Sequence, residues 1–228
     1  MKKLSFAVAL LLMIHCLSFT AFAETGADVI MRAGTTQAFS DEAVPAKDIN
    51  TILNAGLKAE SAMNQQPWLF VALTDKAMMK EVAGSGMMPP GAAPAGANGA
   101  APAGTNGTAP PRPANGAKAG LGDSPLAILV YMDEGSRSPD PSFDCGLAVQ
   151  NMYIAAVSLG YGAKIVYGPV VTLNGEKHDH FCDEFGIDRS LKAVSVLLIG
   201  KADDAVDSTT GASERAAFKD KVRLIEGK

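Results

Sequence analysis

The chain has 228 residues, a mass of 23.6 kDa and 47% hydrophobic residues, enough for one ordinary domain or two small ones. The hydrophobic content supports a substantial core, which excludes a chain that is disordered throughout. The formal net charge of −4, without a basic stripe, argues against nucleic acid as the main partner.

The first 23 residues have the pattern of a secretory signal peptide. A positively charged start is followed by an apolar run at 6–14, and Ala21-Phe22-Ala23 has the small-x-small form of a signal-peptidase site. We therefore predict cleavage after Ala23 and export, to the periplasm. A membrane anchor is the alternative, but the run is short and is interrupted by His15 and Ser18.

From residue 24 onwards, helical and strand patterns alternate around one low-complexity segment. In chain order we predict a helix over 27–32, a helix starting at Pro45, a strand over 68–73, a helix over 76–82, a strand over 126–132, a helix over 142–159, a strand over 163–166, a helix over 175–185, a strand over 194–199 and a helix from about Glu214. This alternation predicts an α/β or α+β sandwich with one sheet and helices on its faces.

The segment 84–121 interrupts this pattern. It consists mainly of Gly, Ala, Pro and Asn, and it repeats itself in APAGANGA at 93–100 and APAGTNGT at 101–108. Such a composition has little to bury, so we predict a flexible insertion in a surface loop of a domain that spans 24–228. It is either a mobile lid or spacer, or a neutral expansion.

Two further patterns concern the cysteines. Export would remove Cys16 and leave Cys145 and Cys182, for which we favour two unpaired thiols over a disulfide. His178 and Cys182 would share one face of a helix, but a closed metal site needs about four ligands and no fourth is evident. We therefore expect a solvated helical face there, and no metal.

The most informative stretch is Ser61-Ala62-Met63-Asn64-Gln65-Gln66-Pro67-Trp68, between a predicted helix and a predicted strand. Its Ser, Asn and Gln side chains can donate and accept hydrogen bonds, as a flat heterocycle with both kinds of edge group requires. An ordinary helix–strand turn is the alternative, and composition alone does not exclude it.

This stretch resembles the flavin-binding loop of the nitroreductase family, in which a small-Ser-x-x-Asn-x-Gln-Pro-Trp pattern is typical. A second block, from Asp144 through the helix to Leu159-Gly160-Tyr161-Gly162, is similar to the family's long central helix. Ser124-Pro125-Leu126 matches the family's middle strand, and Phe39 matches the segment between its first two helices. The resemblance covers most of 27–83 and 122–224.

The resemblance implies an α+β sandwich, with a central, mostly antiparallel sheet flanked by helices, that binds flavin mononucleotide (FMN). It implies ring or ribityl contacts from Ser61, Asn64 and Gln66, and backbone contacts from Tyr167 and Gly168 on the N5 and O4 side of the flavin. It also implies a homodimer with flavin at the interface, and no catalytic side chain, since the flavin carries the redox chemistry.

The sequence departs from the family at the phosphate end of the cofactor. The family holds the phosphate with an Arg-Arg-Ser-x-Arg run, whereas the matching residues 33–37 read AGTTQ. Arg32 lies one place early, Thr35 keeps the hydroxyl, and Arg215 matches a basic residue before the family's final helix. Losing two or three charged contacts would weaken FMN binding, at about 1.5–3 kcal/mol each.

A second resemblance suggests compensation for this loss. Residues 207–213, Asp-Ser-Thr-Thr-Gly-Ala-Ser, are similar to the acceptor motif of exported flavoproteins, in which a transferase joins the flavin phosphate to the last hydroxyl. That hydroxyl would be Ser213, where Thr is usual, two residues before Arg215. The alternative role for Ser213 is that of a cap for the last helix.

The resemblances, together with the signal-peptide pattern, imply an exported FMN-dependent oxidoreductase of nitroreductase type, which would reduce a nitroaromatic, quinone or similar small-molecule acceptor. The expected electron donor is NAD(P)H, as is usual in the family, or a membrane redox partner. Two alternatives stay open: an electron-transfer module with covalently anchored FMN, and a degenerate binding domain that has lost flavin together with the arginines.

Overall fold

A computed structural model describes residues 25–84, 120–203 and 216–225. In chain order the elements are α1 (Gly26–Arg32), α2 (Ala46–Leu57), a short 3-10 helix (Ala62–Asn64), β1 (Trp68–Leu73), α3 (Lys76–Ala83), β2 (Leu126–Asp133), α4 (Pro141–Ser158), β3 (Gly162–Val166), α5 (Gly168–Leu173), α6 (His178–Phe185), β4 (Leu191–Gly200) and α7 (Phe218–Lys221). The chain divides into two compact units, 1–32 and 33–228, so α1 belongs to the first unit and every other element to the second.

The four strands form one antiparallel sheet in the order β1-β2-β4-β3. Trp68 at the start of β1 pairs with Met132 near the end of β2, and Met132 pairs in turn with Lys192 near the start of β4. The register between β2 and β4 shifts between Val130 and Tyr131, where a bulge locally increases the twist. An antiparallel sheet flanked by helices confirms the predicted α+β class.

Side chains that alternate along β2 supply both cores of the sandwich, because successive strand residues point to opposite faces. On one face, Leu126, Ile128 and Val130 pack with Ile52 of α2 and Met152 of α4. On the other face, Ala127, Leu129 and Tyr131 of β2 pack against three helices. The contacting residues are Met79 of α3, Leu173 of α5 and Phe181 of α6. The two central strands are therefore covered on both faces, as their nearly uniform apolar sequences require.

Two helix starts and the burial of one strand differ from the predictions. The helix predicted over 175–185 was wrong at its start: α6 begins only at His178, and a separate helix that was not predicted, α5, ends at Leu173, so that Gly175 lies between the two. A side chain on Gly175 would lie 2.8 Å from the Val171 carbonyl oxygen, so a glycine is needed where the chain leaves α5. Pro45 precedes α2 rather than opening it. The compact apolar run at 68–73 predicts a buried strand, whereas β1 is an edge strand of which only Leu73 is buried.

Several predicted features fall on residues that the structure does not describe. The signal peptide at 1–23, most of the insertion at 84–121, and Glu214 lie outside the described residues. The two ends of the insertion are described: Gly84 follows α3, and Leu121 is buried in the core beside α3. Within the described ranges, no helix combines the length and apolar character needed to cross a membrane.

Candidate functional site

The loop from Ser61 to Gln66, which joins α2 to β1, has a strained backbone. Three non-glycine residues have positive φ: Met63 and Asn64 at 53° and Gln66 at 47°. Such conformations cost of order 1–3 kcal/mol each for most residues and persist only where surrounding contacts enforce them, which happens most often at functional sites. The strain therefore marks this loop as a candidate site on grounds independent of its sequence.

Hydrogen bonds within the loop show how its shape is kept. The Gln66 backbone N–H donates to Ser61 Oγ at 2.9 Å, and Gln66 Nε2 donates to Asn64 Oδ1 at 3.1 Å. The Gln65 side chain accepts from the Arg137 backbone N–H at 3.3 Å. The Asn64 and Gln66 amides remain exposed, and each presents donors and acceptors. The structure thus brings the predicted residues Ser61, Asn64 and Gln66 together.

Asp144, in the first turn of α4, anchors the start of this loop. Its carboxylate accepts from the Ala62 backbone N–H at 3.2 Å and 3.3 Å and from Ser138 Oγ at 2.6 Å, and the residue is only 3% exposed. Sequence reasoning placed Asp144 at the start of the central helix but assigned it no role at the site. The sequence did contain a signal that could have identified Asp144, namely a carboxylate inside an otherwise apolar helical pattern.

A cavity of about 350 Å³ lies beside the loop, between it and the start of α4. It is lined by Glu60, Ser61, Ala62, Pro139, Asp140, Phe143, Asp144 and Leu147. Its walls are mainly apolar, and Phe143 is 63% exposed at its edge. The lining includes three carboxylates and no basic residue, so the cavity favours an uncharged or cationic ligand over an anion.

The segment that matches the family's phosphate-binding run lies along β3. The Thr36 backbone N–H donates to the Ala163 carbonyl at 3.1 Å, and Tyr153 Oη donates to the Gly34 carbonyl at 2.6 Å. Thr35 itself is exposed. Residues 33–37 contain no basic side chain, but Lys164 on β3 donates to Gln37 Oε1 at 3.3 Å and so places one ammonium beside them.

Tyr167 and Gly168 directly follow β3, and both are exposed. Register places them at the same end of the sheet as the Ser61 loop, because β1 begins and β3 ends at that end. They lie at opposite edges, however, separated by three strand spacings of about 4.8 Å, or roughly 14 Å. One copy of the chain therefore does not bring these two predicted groups into contact.

Three predicted phosphate contacts are not placed at the site. Arg32 is the last residue of α1 and belongs to the first compact unit. Ser213 and Arg215 lie outside the described residues. Their roles remain predictions. The residues present therefore fit a flavin ring, through an anchored loop with exposed amides, while the phosphate end is only partly supplied by the described chain.

The expectation of a solvated face around His178 and Cys182 was wrong. Both residues are buried, and the two imidazole nitrogens of His178 each lie 2.9 Å from a carbonyl oxygen, of Leu173 and of Arg189. The ring thus joins the end of α5 to the turn before β4. Burial raises the pKa of the Cys182 thiol. No group of three or more metal-binding side chains occurs among the described residues.

Cys145 and Cys182 are both unpaired, as predicted. Burial and, secondarily, the negative charge of Asp144 raise the pKa of Cys145 to about 12, so its thiol stays protonated near neutral pH. A protonated buried thiol is a poor nucleophile. Cys145 therefore acts as a packing residue of α4 and not as a reactive group.

Comparison with known proteins finds similarity to nitroreductases both in sequence and in fold. Over 128 residues the chain is 30% identical to a candidate NADH dehydrogenase/NAD(P)H nitroreductase of Methanothermobacter thermautotrophicus, covering 55% of this chain and 51% of that protein. A protein of the same name from Archaeoglobus fulgidus is 27% identical over 175 residues, covering 74% and 80%. The chain thus spans about half of the first relative's length.

The fold is similar to a solved nitroreductase with bound FMN from Desulfitobacterium hafniense, with a TM-score of 0.66 and 20% identity over 88% of this chain and 98% of that one. The model of the nitroreductase family matches residues 30–201, which include the Ser61 loop, the whole sheet and α4. This match bears out the predicted class of oxidoreductase at the level of the family. The chain belongs to the nitroreductase family.

Proposed function

We propose that the protein is an exported FMN-dependent oxidoreductase that transfers electrons from a donor to a nitroaromatic, quinone or similar small acceptor. The observation that carries this proposal is the loop from Ser61 to Gln66, whose strained backbone is fixed by hydrogen bonds while the Asn64 and Gln66 amides face outward. Such preorganised donors and acceptors suit the edge of a flavin ring.

Bound FMN would supply the redox chemistry, by taking up and giving up a hydride or electrons. The chain's own part is to hold the ring: Ser61, Asn64 and Gln66 on one side, and the Tyr167 and Gly168 backbone on the other. The names of the archaeal relatives and the FMN in the Desulfitobacterium hafniense structure support this cofactor and NAD(P)H as donor. A membrane redox partner is the alternative donor for an exported protein.

A homodimer would solve the geometric problem that one protomer leaves. The Ser61 loop and Tyr167 lie at opposite edges of one sheet, so two copies could complete a site that neither completes alone. The exposed aromatic side chain of Tyr167, at 59%, supports burial against a second chain. The dimer is therefore part of the proposal.

Covalent attachment of the FMN phosphate to Ser213 is the finer part of the proposal. It is supported by the absence of arginine from residues 33–37, by the acceptor-like sequence at 207–213, and by the nearby Arg215. An exported protein that bound FMN weakly would lose it to the medium. A phosphoester bond to the Ser213 hydroxyl would prevent this loss.

Protein made together with an exported flavin transferase tests both levels of the proposal. We expect a yellow protein whose flavin stays attached after denaturation, with an intact mass raised by that of FMN less one water, and loss of that increment in Ser213→Ala. Flavin that is released on denaturation would disprove the covalent bond but leave the FMN enzyme. A protein that stays colourless, even after incubation with FMN, would disprove the proposed function and favour a binding domain without flavin.

The cavity beside the loop is the proposed place for the acceptor, and its charge predicts a preference. With Glu60, Asp140 and Asp144 in the lining, a neutral quinone should be reduced with a higher kcat/KM than its carboxylated analogue. Glu60→Gln should lower the ratio of the two kcat/KM values several-fold, because it removes a negative charge that is exposed at the cavity wall. Glu184→Gln, on the exposed side of α6, is the control, and an equal effect of both variants would contradict the assignment.

A further inference from the structure

The buried carboxylate of Asp144 has a role that the helix containing it does not require. Asp140 already caps α4, since its side chain accepts from the Phe143 backbone N–H at 3.0 Å. Asp144 is directed instead to the Ala62 backbone N–H, 82 positions earlier in the chain. We propose that Asp144 is the positioning residue that holds the Ser61–Gln66 loop in its flavin-binding shape, an inference that rests on the proposed function.

The surroundings of Asp144 are built for a carboxylate. The residue is 3% exposed, and within the described chain it makes no ion pair. Its charge is balanced by the Ala62 N–H, by Ser138 Oγ at 2.6 Å and by the positive end of the α4 dipole. A buried carboxylate satisfied by hydrogen-bond donors alone places those donors strictly, so it fixes the position of Ala62.

The position of Ala62 matters because the strained residues follow it directly. Met63 and Asn64 both have φ of 53°, and the loop closes where the Gln66 N–H meets Ser61 Oγ. Without the carboxylate, the Ala62 N–H and the Ser138 hydroxyl lose their acceptor, and the backbone is free to relax towards negative φ. The Asn64 and Gln66 amides would then no longer be held where a flat ring can meet both.

Asp144→Asn tests this role, because the amide has nearly the same size but is uncharged and accepts through one oxygen only, while its N–H₂ group can only donate. In full-length protein made without a flavin transferase, we expect FMN to bind about tenfold more weakly and the Ala62 amide to exchange hydrogen about tenfold faster. Asp75→Asn is the control: it makes the same charge change at a residue that caps α3 and does not touch the loop. Its FMN affinity and Ala62 exchange should match the wild type.

Ser138→Ala is a second variant that keeps the carboxylate and removes one of its donors. We expect a smaller loss of FMN affinity, about threefold, which keeps the test decisive should Asp144→Asn fail to fold. Unchanged FMN affinity in Asp144→Asn, or an unchanged Ala62 exchange rate, would overturn the proposal. Ala62 exchange is read without FMN. If the Ala62 amide exchanges faster in Asp144→Asn than in the wild type, but the wild type binds no FMN, the proposed function alone is rejected and the positioning role of Asp144 stands.

Discussion

A protein that carries both Asn64→Gly and Gln66→Gly is expected to bind FMN about 100-fold more weakly than the wild type. Each side chain presents an exposed amide from a fixed backbone, and losing about 1.4 kcal/mol of hydrogen bonding at each corresponds to about 100-fold in the dissociation constant. Glycine is the appropriate replacement, because it removes the amide and still accepts the positive φ of both positions.

Flavin fluorescence during titration of protein made without a transferase measures this change. Met63→Gly is the matched control, since Met63 has the same φ of 53° as Asn64 but no polar group. Its dissociation constant should stay within about threefold of the wild type, because a single glycine adds a modest entropy cost. An equal loss in both proteins would mean that loop stiffness, and not the amides, determines FMN binding.

Phe181→Ala is expected to lower the free energy of unfolding by about 3–5 kcal/mol. Phe181 on α6 is fully buried, stacks on Phe185 with ring centroids 5.9 Å apart, and packs in the core between α6 and the sheet. Its removal leaves a cavity in a close-packed helix-to-sheet interface, which relaxes only in part around the missing ring. Urea unfolding followed by the fluorescence of the single tryptophan, Trp68, measures the loss.

Phe143→Ala is the matched control for this substitution. Phe143 is 63% exposed on α4, so its truncation removes a similar side chain that buries little surface. We expect a change within about 1 kcal/mol. A loss below about 1 kcal/mol for Phe181→Ala as well would show that α6 does not contribute to the cooperative core.

Much of the fold could be predicted from the sequence because its strands are continuous apolar runs. The run at 68–73 gives β1 with the predicted bounds, and the run at 126–132 gives β2 to within one residue. Failure came at α5, whose sequence GPVVTL is short and rich in β-branched residues. Pro169 in its first turn was the available signal, since proline is favoured at the start of a helix.

The candidate site was predicted only in part, and the features that were missed depend on contacts between distant parts of the chain. Ser61, Asn64 and Gln66 were assigned to the site because the short polar loop that contains them resembles the family's flavin-binding loop, and their role there stays a prediction. The positive φ values and the bond from Ala62 to Asp144 could not be found in this way, since both depend on α4 being docked beside the loop. Burial of His178 was missed for the same reason: its partners, the carbonyls of Leu173 and Arg189, meet only in the folded chain.

The strand order has a consequence for how the chain can fold. β4, which lies at the centre of the sheet, is the last strand among the described residues, and within them β3 has no other strand to pair with. Until residues 191–200 are available, the sheet consists of β1 and β2 alone, and an isolated two-stranded ribbon is only marginally stable in water. Pairing across such long sequence separations is slow, because chain closure is unfavourable until the contacts form. The sheet should therefore form late and in one cooperative step, so a chain that ends before Leu191 keeps apolar strands without partners.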